Sequence, residues 1–286
     1  MILRTRTDVI ENETKTDAIW DKLKLFIEAS TNITAKRTLG KMVTETAIAI
    51  QTAAGAIDAF LYRAEHGIDP GVIFLTDIFG IRPANREMAR RLAEQGYTVM
   101  LPNIFYRTGT LPLFDFQPKI GEERTMKRFE ELRGPLSPEA VEQDGAAYVD
   151  FLAMQDSVRS VPMGVVGYCF SGAMAVRIAA ARPDRIAAGA SFHGGGLYTD
   201  TPASPHLALH RVKAHLYFGH ATGDRSMPGE AINKLDVALL NWGGEYESEV
   251  YDASHGWTVP GSPVYNGPQA EIAFQKLTQL FSSTLK

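Results

Sequence analysis

Short apolar segments alternate with longer amphipathic segments from about residue 71 onward, and this alternation constrains the fold more than any other feature of the sequence. Residues 71–75 form a continuous apolar run, as expected of a strand buried on both faces of a sheet. The pattern also predicts a hairpin at 44–62 with its turn at Ala54-Gly55, strands at 97–101, 163–166, 186–192, 214–218 and 246–251, and helices at 83–95, 121–133, 138–154, 171–181, 228–242 and 268–285. Repeated β-α units predict an α/β fold with a mostly parallel central sheet and helices on both faces.

The first 40 residues differ from the rest because Thr, Asn, Lys and Glu dominate them. A helix is predicted at 15–29, since one of its faces would carry Ile19, Leu23, Phe26 and Ile27. We therefore divide the chain into an N-terminal appendage at 1–40, partly helical or disordered, and one α/β domain at 41–286. The appendage is expected to be dispensable for chemistry.

Charge, cysteine content and hydropathy limit the possible functions. The net charge is −4 at pH 7, which argues against nucleic acid as a partner because phosphate binding needs a surplus of Lys and Arg. The single cysteine cannot form an intramolecular disulfide, and a free thiol suits a reducing compartment. No run reaches the roughly 20 apolar residues of a membrane span, and the N-terminus lacks the apolar stretch of a signal peptide. We therefore expect a cytoplasmic protein with no membrane partner, either a monomer or a homodimer.

The single cysteine lies in the segment with the strongest functional signal. The predicted strand at 163–166 leads through Gly167 and Tyr168 to Cys169, and a helix follows at once. This pattern is typical of a nucleophile elbow, which needs small residues two positions before and after the nucleophile, here Gly167 and Ser171. The N-terminus of the helix would favour a thiolate. The alternative is a buried structural cysteine, which would not need flanking glycines at such a turn.

A nucleophile of this kind needs a base, and the base needs an acid that orients it. Asp224 lies in a polar turn after the predicted strand 214–218, and His255 follows the predicted strand 246–251. Both residues, like Cys169, are therefore expected at the carboxyl edge of one parallel sheet, where such sheets place their sites. Taken singly, Asp224 could cap a helix and His255 could be an ordinary loop histidine. The chain order of nucleophile, acid and histidine favours a catalytic triad.

Backbone amides and further side chains complete the predicted site. An oxyanion hole would use the N–H of Phe170, directly after the cysteine, and the N–H of Ile78 in the loop after the first predicted parallel strand. The side chains expected near the substrate are those of Phe79, Tyr106, Trp257 and His193. For the aromatic residues the alternative is core packing, and for the histidine it is a hydrogen bond within a turn. The histidine spacings do not indicate a metal site.

Taken together, these segments resemble the dienelactone hydrolase family. The matching pieces are 77–80, 96–97, 101–103, 106–107, 167–172, 191–195, 223–224 and 255–257. The resemblance covers residues 44–286 and implies that 41–286 form a catalytic domain with an α/β-hydrolase fold. It further implies a Cys-His-Asp triad and no cofactor. The reference reaction of the family opens an unsaturated, carboxylate-bearing lactone.

Three positions depart from the reference members of that family. Those members carry a Glu that holds the resting thiol and takes part in its activation; this chain has Asp77 there, which we expect to hold the thiol of Cys169. They also bind the substrate carboxylate with two arginines. Arg107 resembles the first, whereas Val259 occupies the position aligned with the second. Ser171 replaces a glycine of the elbow.

The sequence therefore predicts a hydrolase of small esters or lactones that forms a thioester acyl-enzyme on Cys169. The alternative, from a different functional class, is a non-catalytic protein that binds a small molecule on the same fold. Turnover of an activated ester, with and without a thiol-alkylating reagent, discriminates between the two.

Overall fold

The computed structural model describes residues 42–64 and 67–285, so the predicted helix at 15–29 and the rest of the appendage lie outside the described residues. The strands are β1 (Val43–Thr52), β2 (Gly55–Ala64), β3 (Asp69–Leu75), β4 (Thr98–Pro102), β5 (Val158–Tyr168), β6 (Ile186–Phe192), β7 (His215–Ala221) and β8 (Tyr246–Tyr251). The α-helices are α1 (Pro83–Ala93), α2 (Glu123–Arg133), α3 (Pro138–Ala153), α4 (Ser171–Ala181), α5 (Gly229–Trp242) and α6 (Gly267–Thr284), and a 3-10 helix spans Pro205–Arg211. In this part of the chain, no helix has the length and hydropathy needed to cross a membrane.

The strands form one sheet in the order β1-β2-β4-β3-β5-β6-β7-β8. The hairpin strands β1 and β2 pair antiparallel, and β2 pairs antiparallel with β4. All pairings from β4 through β8 are parallel. The predicted mostly parallel sheet is therefore confirmed, and the carboxyl ends of β3, β5, β6, β7 and β8 meet at one edge.

Helices cover both faces of the sheet. On one face, α1 and α6 contribute the buried side chains Leu92, Leu277 and Phe281 to the core. On the other face, α3 and α4 contribute Tyr148 and Ile178, among others. Each fully buried side chain of this size contributes roughly 1.5–3 kcal/mol relative to an exposed one. The apolar helix faces therefore hold the sheet, and with it the edge that carries the site.

The structure differs from the predicted elements at several boundaries. The hairpin turn is at Ala53-Ala54, and Gly55 is the first residue of β2. Strand β5 begins at residue 158, five positions before the predicted start, because backbone pairing with β3 continues beyond the apolar run. Strand β7 continues to residue 221, whereas the apolar pattern stops at 218. Because backbone pairing does not require apolar side chains, the apolar pattern of the sequence does not mark these ends of β5 and β7.

Candidate active site

The turn between β5 and α4 has the geometry of the predicted elbow. Cys169 has a φ of +61°, a left-handed conformation that costs a non-glycine residue roughly 1–2 kcal/mol. Gly167 allows the turn to close, since a Cβ there would lie 2.1 Å from the carbonyl oxygen of Ser171. Gly172 is similarly confined, because its Cβ would lie 2.2 Å from Oγ of Ser191. The small residues of this segment are therefore required by close packing of the turn.

Ser171 makes use of its side chain in this turn. Its hydroxyl is completely buried and accepts the amide N–H of Tyr168 at 2.9 Å. The same oxygen lies 3.2 Å from the carbonyl oxygen of Leu75 and 2.9 Å from that of Tyr168, so it can donate to either. The serine that replaces a family glycine thus links the elbow to the end of β3, beside the loop that carries Ile78.

Cys169, His255 and Asp224 lie in one hydrogen-bonded chain at the carboxyl edge of the sheet. Nε2 of His255 lies 3.1 Å from Sγ of Cys169, and Nδ1 lies 2.6 Å from Oδ2 of Asp224. The other carboxylate oxygen, Oδ1, accepts the amide N–H of Ser226 at 2.8 Å and its hydroxyl at 2.7 Å. Sequence reasoning missed Ser226, although a serine two residues after an aspartate in a turn is typical of this bonding.

The hydrogen bonds and charges among these three residues favour a negatively charged Asp224 carboxylate beside a protonated His255 imidazole. Burial raises the pKa of Asp224, but the hydrogen bonds from His255 and Ser226 outweigh this and lower its pKa below the usual range. Burial lowers the pKa of His255, but the hydrogen bonds to Asp224 and Cys169 and the nearby negative charges outweigh it and raise the pKa to about 10. The Nδ1–H of His255 therefore donates to Asp224, and Nε2 faces the sulfur.

We expect the stabilising contribution of His255 to fall as the pH rises. Folding raises the pKa of this imidazole from 6.5 to about 10, so the folded state binds the proton more strongly than the unfolded state. The contribution is fully present below pH 6.5 and is lost as the pH passes through about 10. The measurement is the free energy of urea unfolding of the wild type and of His255→Gln at several pH values in this window. A difference between the two proteins that grows with pH would contradict the expectation.

The two amides predicted for an oxyanion hole are available for an acceptor. Among the described residues, neither the N–H of Ile78 nor that of Phe170 has a hydrogen-bond partner. Their neighbours are bonded: the N–H of Phe79 donates to Oδ1 of Asp77 at 3.0 Å, and the N–H of Gly172 donates to the carbonyl oxygen of Cys169 at 3.0 Å. Two unpaired N–H groups at adjacent strand ends can receive an oxyanion.

Asp77 is not bonded to the thiol, contrary to our expectation. Its carboxylate forms a two-point ion pair with Arg82, at 2.6 and 2.7 Å, and also accepts the N–H of Phe79. The guanidinium of Arg82 donates to both carboxylate oxygens of Asp77. Such a charged, two-point contact is stronger than a single hydrogen bond from a thiol. Asp77 therefore shapes the loop after β3 and neutralises Arg82.

Arg107 is likewise not free to bind a substrate carboxylate. Its guanidinium pairs with both oxygens of Asp144, whose side chain is only 3% exposed, and its Nη2–Oδ1 distance is 2.8 Å. The hydroxyl of Tyr106 donates to the same carboxylate at 2.8 Å. The prediction overlooked Asp144, which lies in α3 and is distant in sequence. A buried carboxylate needs such partners because desolvation of an unpaired charge is costly.

Two of the remaining predicted substrate contacts, Trp257 and His193, are buried in the protein. Trp257 is completely buried and stacks on Tyr251 with ring centroids 4.8 Å apart, so its assignment as a substrate contact is corrected to core packing. His193 is 1% exposed and both of its ring nitrogens are bonded within the protein, so it too is withdrawn as a substrate contact. Phe79 is partly buried and packs edge-on against Phe129 at 5.3 Å, and its contact with substrate stays a prediction.

Comparisons with known proteins show the family and the fold of this chain. The model of the dienelactone hydrolase family matches residues 57–285. The carboxymethylenebutenolidase of Rhodococcus opacus is 29% identical over 230 residues, which cover 78% of this chain and 84% of that protein. The structure of dienelactone hydrolase from Anabaena variabilis superposes with a TM-score of 0.62 at 17% identity, covering 85% of this chain and 99% of that one.

A second solved structure extends the likeness to a wider fold. The acylaminoacyl peptidase of Pyrococcus horikoshii superposes with a TM-score of 0.63 at 17% identity, covering 86% of this chain and 42% of that one. At such low identities the superpositions show the fold alone, whereas the family match spans most of the chain. With its mostly parallel sheet and flanking helices, the chain has an α/β-hydrolase fold and belongs to the dienelactone hydrolase family.

Proposed function

We propose that this protein hydrolyses small carboxylic esters or lactones, with Cys169 as nucleophile, His255 as base and Asp224 as the acid that orients the base. The observation that carries the proposal is the hydrogen-bonded chain from Sγ through His255 to Asp224. The chain starts on a residue held at a φ of +61° in a strand-to-helix turn, which is the backbone setting of an activated nucleophile.

In the first half of the proposed reaction, Sγ of Cys169 attacks the acyl carbon while the proton between Sγ and Nε2 rests on His255, whose pKa is raised to about 10. Negative charge develops on the carbonyl oxygen, which the N–H groups of Ile78 and Phe170 would stabilise. Asp224 stabilises the imidazolium through the bond to Nδ1–H. The tetrahedral intermediate then loses the alkoxide, which takes the proton from Nε2, and a thioester remains.

In the second half, water attacks the thioester. His255 takes a proton from the water, and the resulting tetrahedral intermediate expels the thiolate of Cys169 and releases the carboxylic acid. The proton taken from water stays on Nε2 beside the sulfur, which restores the starting state. For a lactone, the alkoxide and the acyl group belong to one molecule, so the product is a single hydroxy acid or its tautomer. In this scheme the protons are transferred by His255.

The ion pairs around the site give no reason to expect that acidic substrates are preferred over neutral ones. Arg82 and Arg107, the cations nearest the predicted oxyanion loop and pocket in sequence, are each paired at two points with a carboxylate, Asp77 and Asp144 respectively. Of the two arginines that bind the substrate carboxylate in the family, the sequence has a counterpart only of the first, Arg107, and a lone arginine predicts a modest preference for acidic over neutral esters. The ion pair with Asp144 removes the basis for that preference.

We expect acidic and neutral esters of matched size to differ less than about threefold in kcat/KM, because a paired guanidinium offers little net charge to a second carboxylate. The measurement is kcat/KM for both esters at low and moderate ionic strength. Arg124→Gln, which changes a guanidinium on the exposed side of α2, is the matched control for a loss of overall positive charge. An acidic preference above about tenfold that Arg107→Gln or Arg82→Gln abolishes and Arg124→Gln preserves would contradict the expectation.

The proposal is tested by trapping the acyl-enzyme. A p-nitrophenyl ester should release p-nitrophenol, and rapid acid quenching should leave an acyl group that peptide mass spectrometry locates on Cys169. Iodoacetamide should abolish turnover, and excess substrate should slow its reaction with the protein. Absence of turnover with a range of activated esters and lactones, together with saturable binding of one of them, would favour a non-catalytic binding protein instead.

A further inference from the structure

His193 is a buried imidazole that the proposed mechanism does not use. It directly follows β6, is 1% exposed and has a φ of +41°. Its own N–H donates to the carbonyl oxygen of Gly219 in β7 at 2.7 Å. The residue is thus fixed between the ends of two neighbouring strands, at the same edge of the sheet as Cys169.

The ring of His193 makes one hydrogen bond with each nitrogen. Nδ1 accepts the amide N–H of Cys169 at 3.0 Å, so Nδ1 carries no proton. Nε2 lies 2.8 Å from Oγ1 of Thr258 and, as the protonated nitrogen, donates to it. Burial and the charge on His255 lower the pKa of His193 well below 6.5, in agreement with a neutral ring.

These bonds connect the two segments that must meet in the reaction. Cys169 belongs to the elbow, and Thr258 is three residues after His255 in the loop that follows β8. The ring of His193 also packs edge-on against that of His255, with centroids 5.1 Å apart. The imidazole of His193 therefore spans the gap between the elbow and the loop of the base.

We propose that His193 is a positioning residue, which holds the amide of Cys169 and the hydroxyl of Thr258 and thereby fixes the separation of Sγ and Nε2 of His255. The inference rests on the proposed function, because it assigns a role in the alignment of that same site. His193 does not touch the substrate in this scheme and acts only through Cys169 and the loop of His255.

The physical reason lies in the strained backbone of the elbow. A left-handed residue such as Cys169 persists only where its surroundings determine its conformation. The amide of Cys169 points to the carbonyl oxygen of Phe192 at 3.1 Å and to Nδ1 of His193 at 3.0 Å, and both contacts favour the observed conformation. A displacement of the thiol by about 1 Å relative to its base can cost up to a hundredfold in rate.

Two matched pairs of variants distinguish the loss of a hydrogen bond of His193 from a change in the packing around it. Thr258→Val removes the acceptor of Nε2–H at nearly constant volume, whereas Thr258→Ser retains the hydroxyl. His193→Asn places an amide oxygen near the position of Nδ1, whereas His193→Leu has the same shape as Asn without the acceptor. Because Asn tolerates positive φ better than Leu, the Thr258 pair is the cleaner test and the His193 pair is the stronger perturbation.

We expect His193→Leu to lower kcat on the order of tenfold with KM little changed, and His193→Asn to recover a substantial part of that loss. Thr258→Val should lower kcat several-fold, roughly three- to tenfold, and Thr258→Ser should retain most of the activity. The rate of alkylation of Cys169 by iodoacetamide should fall in the same order, since it depends on the same alignment with His255. Equal effects of Asn and Leu together with equal effects of Val and Ser would overturn the proposal.

A measurement without substrate keeps this inference separate from the proposed function. In ¹⁵N spectra of the ring of His193, Nδ1 should have the shift of an unprotonated nitrogen and Nε2 that of a protonated one. Thr258→Val should shift the amide resonance of Cys169, and Thr258→Ser should leave it close to the wild-type position. A proton on Nδ1 in the wild type would overturn the proposal even if ester hydrolysis is confirmed. If the protein hydrolyses no ester, the alkylation rates and the spectra still decide whether His193 aligns Cys169 with His255.

Discussion

Replacement of Cys169 by alanine is expected to lower ester hydrolysis by more than about a hundredfold, because loss of a nucleophile removes the covalent pathway altogether. The fold should persist, since alanine is smaller than cysteine and the left-handed conformation already holds a side chain with a Cβ. The bond between His255 and Asp224 does not involve the sulfur and should remain. The measurement is kcat/KM for a p-nitrophenyl ester, with thermal unfolding as the check of the fold.

Cys169→Ser is the matched variant for this experiment. It keeps the volume and the hydrogen-bonding capacity but replaces the thiol by a far less acidic hydroxyl, so we expect only weak activity. If purified Cys169→Ala retains more than about one hundredth of the wild-type rate, the nucleophile lies elsewhere. Equal activity of the serine variant and the wild type would show that the acidity of the thiol has no role.

Gly167→Ala is expected to destabilise the protein on the order of 3 kcal/mol or more and to disrupt the site at the same time. The added Cβ would lie 2.1 Å from the oxygen and 2.5 Å from the carbon of the Ser171 carbonyl. These are backbone atoms at the start of α4, which cannot rotate away as a side chain could. The turn must therefore open, and Cys169 must move relative to His255.

Gly229→Ala provides the control for the same chemical change. Apart from the adjoining helix backbone, no heavy atom of the described residues lies within 4 Å of a Cβ at Gly229, which is the first residue of α5, and its φ is not positive. Alanine there should be neutral or slightly stabilising, because it restricts the unfolded chain and favours a helix. The free energy of urea unfolding and kcat/KM of both variants are the measurements. A Gly167→Ala protein with the stability and activity of Gly229→Ala would refute the close packing of the elbow.

Local patterns of the sequence were sufficient to predict the fold and the edge of the sheet at which Cys169, Asp224 and His255 lie. Apolar runs separated by amphipathic helices determine a parallel sheet, and the family match and the strand pairings confirm it. Parallel strands all end at one edge, so residues that follow different strands, such as Cys169, Asp224 and His255, were expected to meet. Their proximity follows from topology, and only their catalytic roles stay predictions.

Tertiary structure alone decided which partner each charged or buried side chain has. Arg107 and Asp144 are 37 positions apart. The apolar periodicity of α3 does not indicate that Asp144 pairs with an arginine of a distant loop. The same holds for His193, which sequence reasoning assigned to substrate but which bonds to Cys169 and to Thr258, 65 positions away. Periodicity reports which face of an element is apolar, whereas the pairing of polar groups depends on distances between elements and on the exclusion of water from the space between them. The sequence by itself determined the sheet, the elbow and the edge where Cys169, Asp224 and His255 meet. The packed structure decided that Arg82 and Arg107 are paired with carboxylates and that His193 accepts the amide N–H of Cys169.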